Sequence, residues 1–219
     1  DNIWINQGEV PMDIFSEVDT NMDNYISSLE VISFMTLNDL DLNFDGVINL
    51  RDALINSSPF INNIDDEGDG KTDDLIGWDM VGYSSSPDND PFPREDVAVN
   101  STWAHGTHVA SIMSATTENN LGMAATAFNA KIISIKCSED NQLEPGVYNG
   151  YQGIVYAAKA GYFNDTFTII NNSWGGGGYS TYEQSQVNIA YDTYGAIIVA
   201  AAGNGLDYPN YGEEYTSHY

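Results

Sequence analysis

The chain has 219 residues, 42% of them hydrophobic, and a formal charge of −26 from 32 acidic and 6 basic side chains. Such a length supports one sizeable α/β core with a small appendage. Without clustered Lys and Arg no nucleic-acid partner is expected, and with no apolar run near the roughly 18 residues that span a bilayer, no membrane segment is expected either.

The first 77 residues hold 17 of the 32 acids beside only Arg51 and Lys71. They read as three acidic loops between brief apolar segments, a region 1–77 set apart by a boundary near Gly77-Trp78. A helix-loop-helix calcium loop places oxygen ligands at positions 1, 3, 5, 9 and 12 and a backbone carbonyl at 7, with a left-handed turn at 6. Asp19, Asn21, Asp23, Ser27 and Glu30 fit that pattern, with Tyr25 at position 7. Asn24 stands at position 6, where Asn tolerates the left-handed conformation. Asp41, Asn43, Asp45, Asn49 and Asp52 repeat the pattern 22 residues on, with Val47 at position 7 and Gly46 at the turn. Asp65, Glu67, Asp69 and Asp73, with Lys71 at position 7 and Gly70 at the turn, suggest a third loop. Its position 12 is Ile76, so it must close otherwise, through Asp74 for example.

Ca2+ is therefore the expected cofactor. The competing reading is of solvated turns, which Asx residues and Gly favour without metal. Between the first two loops, Leu29, Ile32 and Met35 are expected to share one face of a short helix, with Val31 neighbouring Met35. Ile26 and Ile48, both at position 8, are expected to pair the loops.

From residue 78 the pattern changes. Pro87 to Pro93 reads as a rigid connection leading to Trp103-Ala-His105-Gly-Thr-His108-Val-Ala-Ser111, whose Val109, Ile112 and Met113 give the following helix an apolar face. Lys131 to Cys137 is strand-like, with Cys137 a small buried core residue. Val147, Tyr151, Ile154, Val155 and Ala158 follow at helical spacing, and Gly161 is placed to cap that helix. Phe167 to Asn171 reads as a strand. Ser180 and Glu183 form a capping box ahead of a helix closing at Gly195, and Ala196 to Ala202 reads as a buried strand. The β-α-β-α-β order predicts a parallel sheet with helices on both faces.

The His105 segment, Ile170-Asn171-Asn172-Ser173-Trp174-Gly175-Gly176 and Val199-Ala-Ala-Ala-Gly203-Asn204 resemble, in order, three segments of the subtilisin-like serine proteases, the subtilases. Gly77-Trp78-Asp79 and Asp88-Asn-Asp-Pro91 resemble those of subtilases with a calcium-loop insertion. The resemblance covers most of residues 64–219. It implies an α/β fold, a subtilisin-like parallel sheet with helices on both faces, incomplete here, plus a small EF-hand-like calcium-binding insertion in residues 1–77. It makes 78–219 a partial catalytic domain. It implies that His105 is the general base, that Asn204 donates to the oxyanion, and that Ser173, Trp174, Gly175 and Gly176 line the cleft for a peptide or protein substrate. His108 takes a buried, structural role.

The departure is a missing pair. No apolar strand followed by Asp-x-Gly stands ahead of His105, and no Gly-Thr-Ser-Met-Ala segment follows Asn204. No initiating Met and no charged-then-apolar leader is present. The chain is thus expected to be a processed or truncated internal segment of a secreted, calcium-stabilised endopeptidase, inactive alone. Two alternatives stand beside it: a catalytically inactive subtilase-like protein that binds calcium or peptide, and a dockerin-like docking module in residues 19–52. Nothing in the sequence sets an oligomeric state.

Overall fold

The computed structural model describes residues 2–93, 102–143, 145–176 and 178–203. It divides into two compact units, Asp1–Tyr148 and Asn149–Tyr219.

The first unit begins with three short helices, α1 (Phe15–Val18), α2 (Ser28–Leu37) and α3 (Leu50–Ala53). Ile5, Val18, Ile26, Val31, Met35, Phe60 and Leu75 are among the buried residues of their shared core, and the Phe34 and Phe60 rings meet edge to face with centroids 5.7 Å apart. The acidic region therefore carries its own apolar centre. Helix α2 buries Val31, Phe34 and Met35 together with Ser28 and Glu30, whereas Leu29 is exposed and Ile32 only half-buried. Of the three residues expected on one face only Met35 is buried, together with its expected neighbour Val31. Glu30 is turned inward beside them, accepting from the amides of Thr20, Asn21 and Ser27.

After this region come β1 (Gly77–Tyr83), β2 (Ser86–Asp88), a 3-10 turn (Thr102–Ala104), α4 (His105–Ser114) and β3 (Ser134–Lys136). Strand β1 lies between an antiparallel β2 and a parallel β3, with Gly77 opposite Ser134 and Asp79 opposite Lys136. Gly77 is required here. Its φ is +135° and a Cβ would stand 1.9 Å from the Ser134 carbonyl oxygen.

The second unit contains α5 (Gly150–Phe163), β4 (Ile169–Asn172), α6 (Thr181–Asn188) continued by a π-helical turn (Ile189–Thr193), and β5 (Ile197–Ala200). Strands β4 and β5 pair in parallel, Ile169 opposite Ile197 and Asn172 opposite Ala200, as a strand–helix–strand connection allows. Gly161 does not cap α5. The helix runs to Phe163, and Gly161 is buried inside it where a Cβ would meet Thr168 Oγ1 at 1.7 Å.

The mixed α/β architecture fits the expected subtilase fold: β1 with β3 and β4 with β5 pair in parallel as expected, and β2 adds an antiparallel edge to β1. One further expectation is corrected. The strand at 197–200 is not buried on both faces. Ile169, Ile197 and Val199 are exposed, because alternate residues of a strand face opposite ways and only one face of this two-stranded sheet is covered within its unit.

Candidate functional site

Each acidic loop is wound around its own carboxylates. In the first, Asp19 Oδ2 accepts from Asn24 N at 3.0 Å and Asp23 Oδ1 from Tyr25 N at 2.8 Å. Glu30 then closes the loop, Oε1 accepting from Thr20 N at 3.0 Å and Oε2 from Ser27 N at 3.0 Å. The second loop repeats this with Asp41 and Gly46 N at 3.0 Å, Asp45 and Val47 N at 2.7 Å, and Asp52 receiving Leu42 N and Asn49 N, both at 2.9 Å. Asn24 and Gly46 are left-handed, at φ 63° and 85°. Asn21 Nδ2 and Asn43 Nδ2 each donate to the Asp two residues on, Asp23 and Asp45.

The third loop has the same winding but borrows its closing group. Asp65 Oδ2 accepts from Gly70 N at 2.9 Å and Asp69 Oδ1 from Lys71 N at 2.8 Å. The two amides that Glu30 and Asp52 receive in their loops, at positions 2 and 9, here belong to Asp66 and Asp73. Both donate to Glu9, at 2.9 and 3.0 Å. Glu9 thus stands where position 12 stands in the other loops. The carboxylate of Asp73 turns away, accepting from Asn62 N at 2.8 Å and Asn63 N at 3.1 Å. Among the described residues two sets of three carboxylates converge within 4.8 Å, Glu9–Asp65–Glu67 and Glu67–Asp69–Asp74. Asp74 therefore enters the cluster and Asp73 does not.

The electrostatics separate loop three from loop one. Burial alone would raise Glu30, but hydrogen bonds from Ser27, Asn21 and Thr20 hold it below the usual carboxylate range. Glu9 receives similar amides, yet burial, then the neighbouring Glu67 and finally Asp74, push it up to about 10. Like charges and desolvation outweigh the amide dipoles there. An unrelieved cluster of this kind suits a cation, and its donors are all oxygen, the chemistry of a hard ion. Glu67 Oε2 and, in loop two, Asp41 Oδ1 are buried without a hydrogen-bond partner, which leaves acceptors open for a metal. The residues present fit calcium.

Ile26 and Ile48 both pack on the shared core, and the hydrogen bonds of the Ile26 backbone go to Gln7. Its Oε1 accepts from Ile26 N at 2.7 Å and its Nε2 donates to Ile26 O at 2.9 Å. A carboxamide offers one donor and one acceptor side by side, and so reproduces the edge of a neighbouring strand.

His105 opens α4 and is exposed. Buried Trp103 anchors the turn before it, its Nε1 donating to Leu143 O at 3.1 Å. At the far end of α4, the carbonyls of Ile112, Met113 and Ser114 are met by Thr126 N at 3.1 Å, Ala127 N at 2.9 Å and Asn2 Nδ2 at 2.7 Å. The helix is thus held at both ends. His108 is exposed as well, which corrects its expected buried role. Residues three apart share a helix face, so an open His105 carries His108 outward with it.

On β1, Asp79 is fully buried, accepting from Val81 N and Gly82 N at 2.9 Å each and pairing with Lys136. Lys136 also meets Asp140 at 2.5 Å. Burial alone would lower the Lys136 ammonium, but Asp140 and Asp79 raise it above its usual range. Cys137 is half-buried rather than fully buried, and burial followed by the Asp79 carboxylate pushes its thiol up to about 12.

In the second unit, Ser173 and Trp174 are half-buried, Gly175 and Gly176 are exposed, and Asn171 Nδ2 donates to Ser173 Oγ at 2.8 Å. This is an accessible edge running on from β4. Asn204 lies outside the described residues.

The family model for the subtilases matches residues 49–219. The chain belongs to the subtilase family. Curated subtilase relatives include an extracellular basic protease of Dichelobacter nodosus, 34% identical over 148 residues that cover 65% of this chain and 22% of that protein. Thermitase of Thermoactinomyces vulgaris is 34% identical over 143 residues, covering 64% of this chain and 44% of thermitase. A thermophilic serine proteinase of Bacillus sp. (strain AK1) is 35% identical over 137 residues, covering 62% and 29%. The chain spans less than half the length of each of these relatives.

Sequence reasoning missed Glu9, Gln7 and Trp103. For Glu9 the available signal was a lone carboxylate inside an otherwise uncharged stretch, Ile3 to Val10.

Proposed function

We propose that the intact protein is a secreted, calcium-stabilised serine endopeptidase of the subtilisin type. The observation that carries this reading is the subtilase match over residues 49–219, in a chain whose His105 stands exposed at the start of a helix braced at both ends. Peptide hydrolysis by serine needs a base for the hydroxyl proton, a carboxylate to orient that base and donors for the oxyanion. His105 is the base: its imidazole exchanges protons near neutral pH and is open to substrate. Asn204 donates its side-chain amide to the developing oxyanion. An extended peptide pairs with the backbone edge of Ser173, Trp174, Gly175 and Gly176. The nucleophilic serine and the orienting carboxylate are assigned to segments of the intact protein other than these 219 residues.

Calcium is assigned a structural task. Asp19, Asn21, Asp23, Tyr25, Ser27 and Glu30 would hold it in the first EF-hand-like loop, and Asp41, Asn43, Asp45, Val47, Asn49 and Asp52 in the second. In the third, Glu9, Asp65, Glu67, Asp69 and Asp74 would hold it, with Lys71 offering its carbonyl. Bound calcium would offset the repulsion among these carboxylates. Secretion is favoured by the relatives described as extracellular proteases; no helix among the described residues is long and apolar enough to cross a membrane.

The test is His105→Ala in the intact protein. It is expected to lower kcat by at least about 100-fold while leaving the unfolding midpoint in place, and the 219 residues alone are expected to show no labelling by a fluorophosphonate. Unchanged turnover, or labelling of a serine within these residues, refutes the assignment.

A further inference from the structure

The edge from Ser173 to Gly176 has a support of its own in the second unit. Tyr151, in the first turn of α5, meets Trp174 in a T-shaped contact, with ring centroids 5.3 Å apart and planes at 90°. Both side chains are half-buried. The next residue of α5, Gln152, donates from Nε2 to the Tyr182 hydroxyl at 2.9 Å, so α5 reaches both ends of the glycine-rich segment. Gly175 and Gly176 are exposed, and at Gly176, with φ +141°, an added Cβ would meet no atom within 4 Å.

Glycines in open space have no side chains to hold their path and the largest conformational freedom to lose. Trp174 is the last large side chain before them, so whatever holds its indole sets where the open edge begins. We propose that Tyr151 is a positioning residue for substrate binding. Its ring fixes the Trp174 indole, and through it the backbone edge at Ser173–Gly176, in the conformation with which an extended peptide pairs. The inference rests on the endopeptidase reading above. Loosening that edge weakens ground state and transition state alike, so the loss falls on KM rather than kcat.

The experiment uses the intact protein. Tyr151→Ala is expected to raise KM for an extended peptide about two- to tenfold with kcat unchanged, the range set by the worth of an edge-to-face pair. Tyr151→Phe keeps the ring and is expected to stay near the wild-type KM. If Tyr151→Ala does not fold, Tyr151→Leu, which keeps bulk without the ring, carries the same expectation. Near-ultraviolet circular dichroism reads the contact without catalysis: Tyr151→Ala changes the tryptophan bands, and the change vanishes in a Trp174→Phe background. An active enzyme whose KM is unmoved by losing the ring, a Phe variant as impaired as Ala, or a change in the tryptophan bands that persists without Trp174 overturns the positioning role alone. A wild-type protein that hydrolyses no peptide overturns the endopeptidase reading and this inference with it.

Discussion

Replacing Glu9 by Gln tests whether a residue far from loop three in sequence is its closing ligand. Both oxygens of the wild-type carboxyl, which is protonated at neutral pH without calcium, are engaged, by Asp66 N at 2.9 Å and Asp73 N at 3.0 Å. Glutamine offers one oxygen, and its NH2 group would face the other amide. With Glu9 only 1% exposed, the unpaired amide finds no water, a cost of about 1–3 kcal/mol. Calcium adds a second term. A site at free calcium near 100 dissociation constants stabilises the fold by about 2.7 kcal/mol, and a tenfold weaker site loses about 1.3 of that. At about 2–4 °C per kcal/mol for a protein of this size, Glu9→Gln should lower the midpoint in chelator by about 2–12 °C. It should also cut the calcium-induced rise by a further 3–5 °C or so. The assay is thermal unfolding in calcium, magnesium and chelator, with Glu30→Gln as the equivalent change in loop one. A calcium-induced rise in Glu9→Gln equal to that of wild type refutes the reasoning.

Asp45→Ala removes the acceptor of Val47 N at 2.7 Å and of Asn43 Nδ2 at 2.9 Å. It should cost about 0.5–1.5 kcal/mol in chelator and reduce the calcium-induced rise while leaving any magnesium response unchanged; a rise equal to wild type, or matched by magnesium, makes loop two a solvated turn. The Cys137 thiol is raised by burial and then by Asp79 from 9.0 to about 12, so folding favours the neutral form. Its contribution to stability is complete below about pH 9 and lost as pH climbs toward 12. Cys137→Ala should therefore flatten the fall of the urea midpoint across that window, and an equally steep fall would contradict the assignment.

The parts of the fold that were legible from sequence are those where a short window carries the whole signal. Helical spacing marks α5, the Ser180 cap marks α6, with Ser180 Oγ accepting from Glu183 N at 3.4 Å, and the left-handed Asn24 and Gly46 stand where the loop pattern places them. What escaped depends on residues distant in sequence. Glu9 closes a loop from 57 and 64 residues away, and no local spacing contains it. Gln7 satisfies Ile26 in the same non-local way. Apolar spacing on α2 likewise carries no sign that Glu30, a carboxylate, goes inside with Val31 and Met35. His108 was misjudged because helical geometry ties it to the face of His105. The exposed side of β4 and β5 was misjudged because an apolar run cannot state how many of its faces are covered.

With 6 basic side chains for 32 acids, ion pairing cannot balance this chain. Among the described residues, the carboxylates of the acidic loops are met by backbone amides. Arg51 and Lys71, the two cations of the acidic region, lie over the Phe92 and Trp78 rings at 4.4 and 4.7 Å. The stretch from Asn2 to Glu9 joins the amide-bound loops to the histidine helix. Asn2 O accepts from Ile132 N at 2.7 Å, Trp4 N donates to Ile132 O at 2.9 Å, and Asn2 Nδ2 holds Ser114 O at the end of α4. Within the next five residues after Trp4 come Asn6, bonded to Asp74 Oδ1 at 2.9 Å, Gln7 on loop one and Glu9 on loop three. One backbone therefore bears load at both ends. Amide dipoles can hold a lone carboxylate such as Glu30, but at Glu9 burial and the added repulsion of Glu67 and Asp74 outweigh them, and either a proton or a bound cation relieves that repulsion. The end of the stretch where the carboxylates crowd is thus continuous with the end that fixes α4, so relief of that crowding, by a proton on Glu9 or by the proposed calcium, bears on the histidine helix as well.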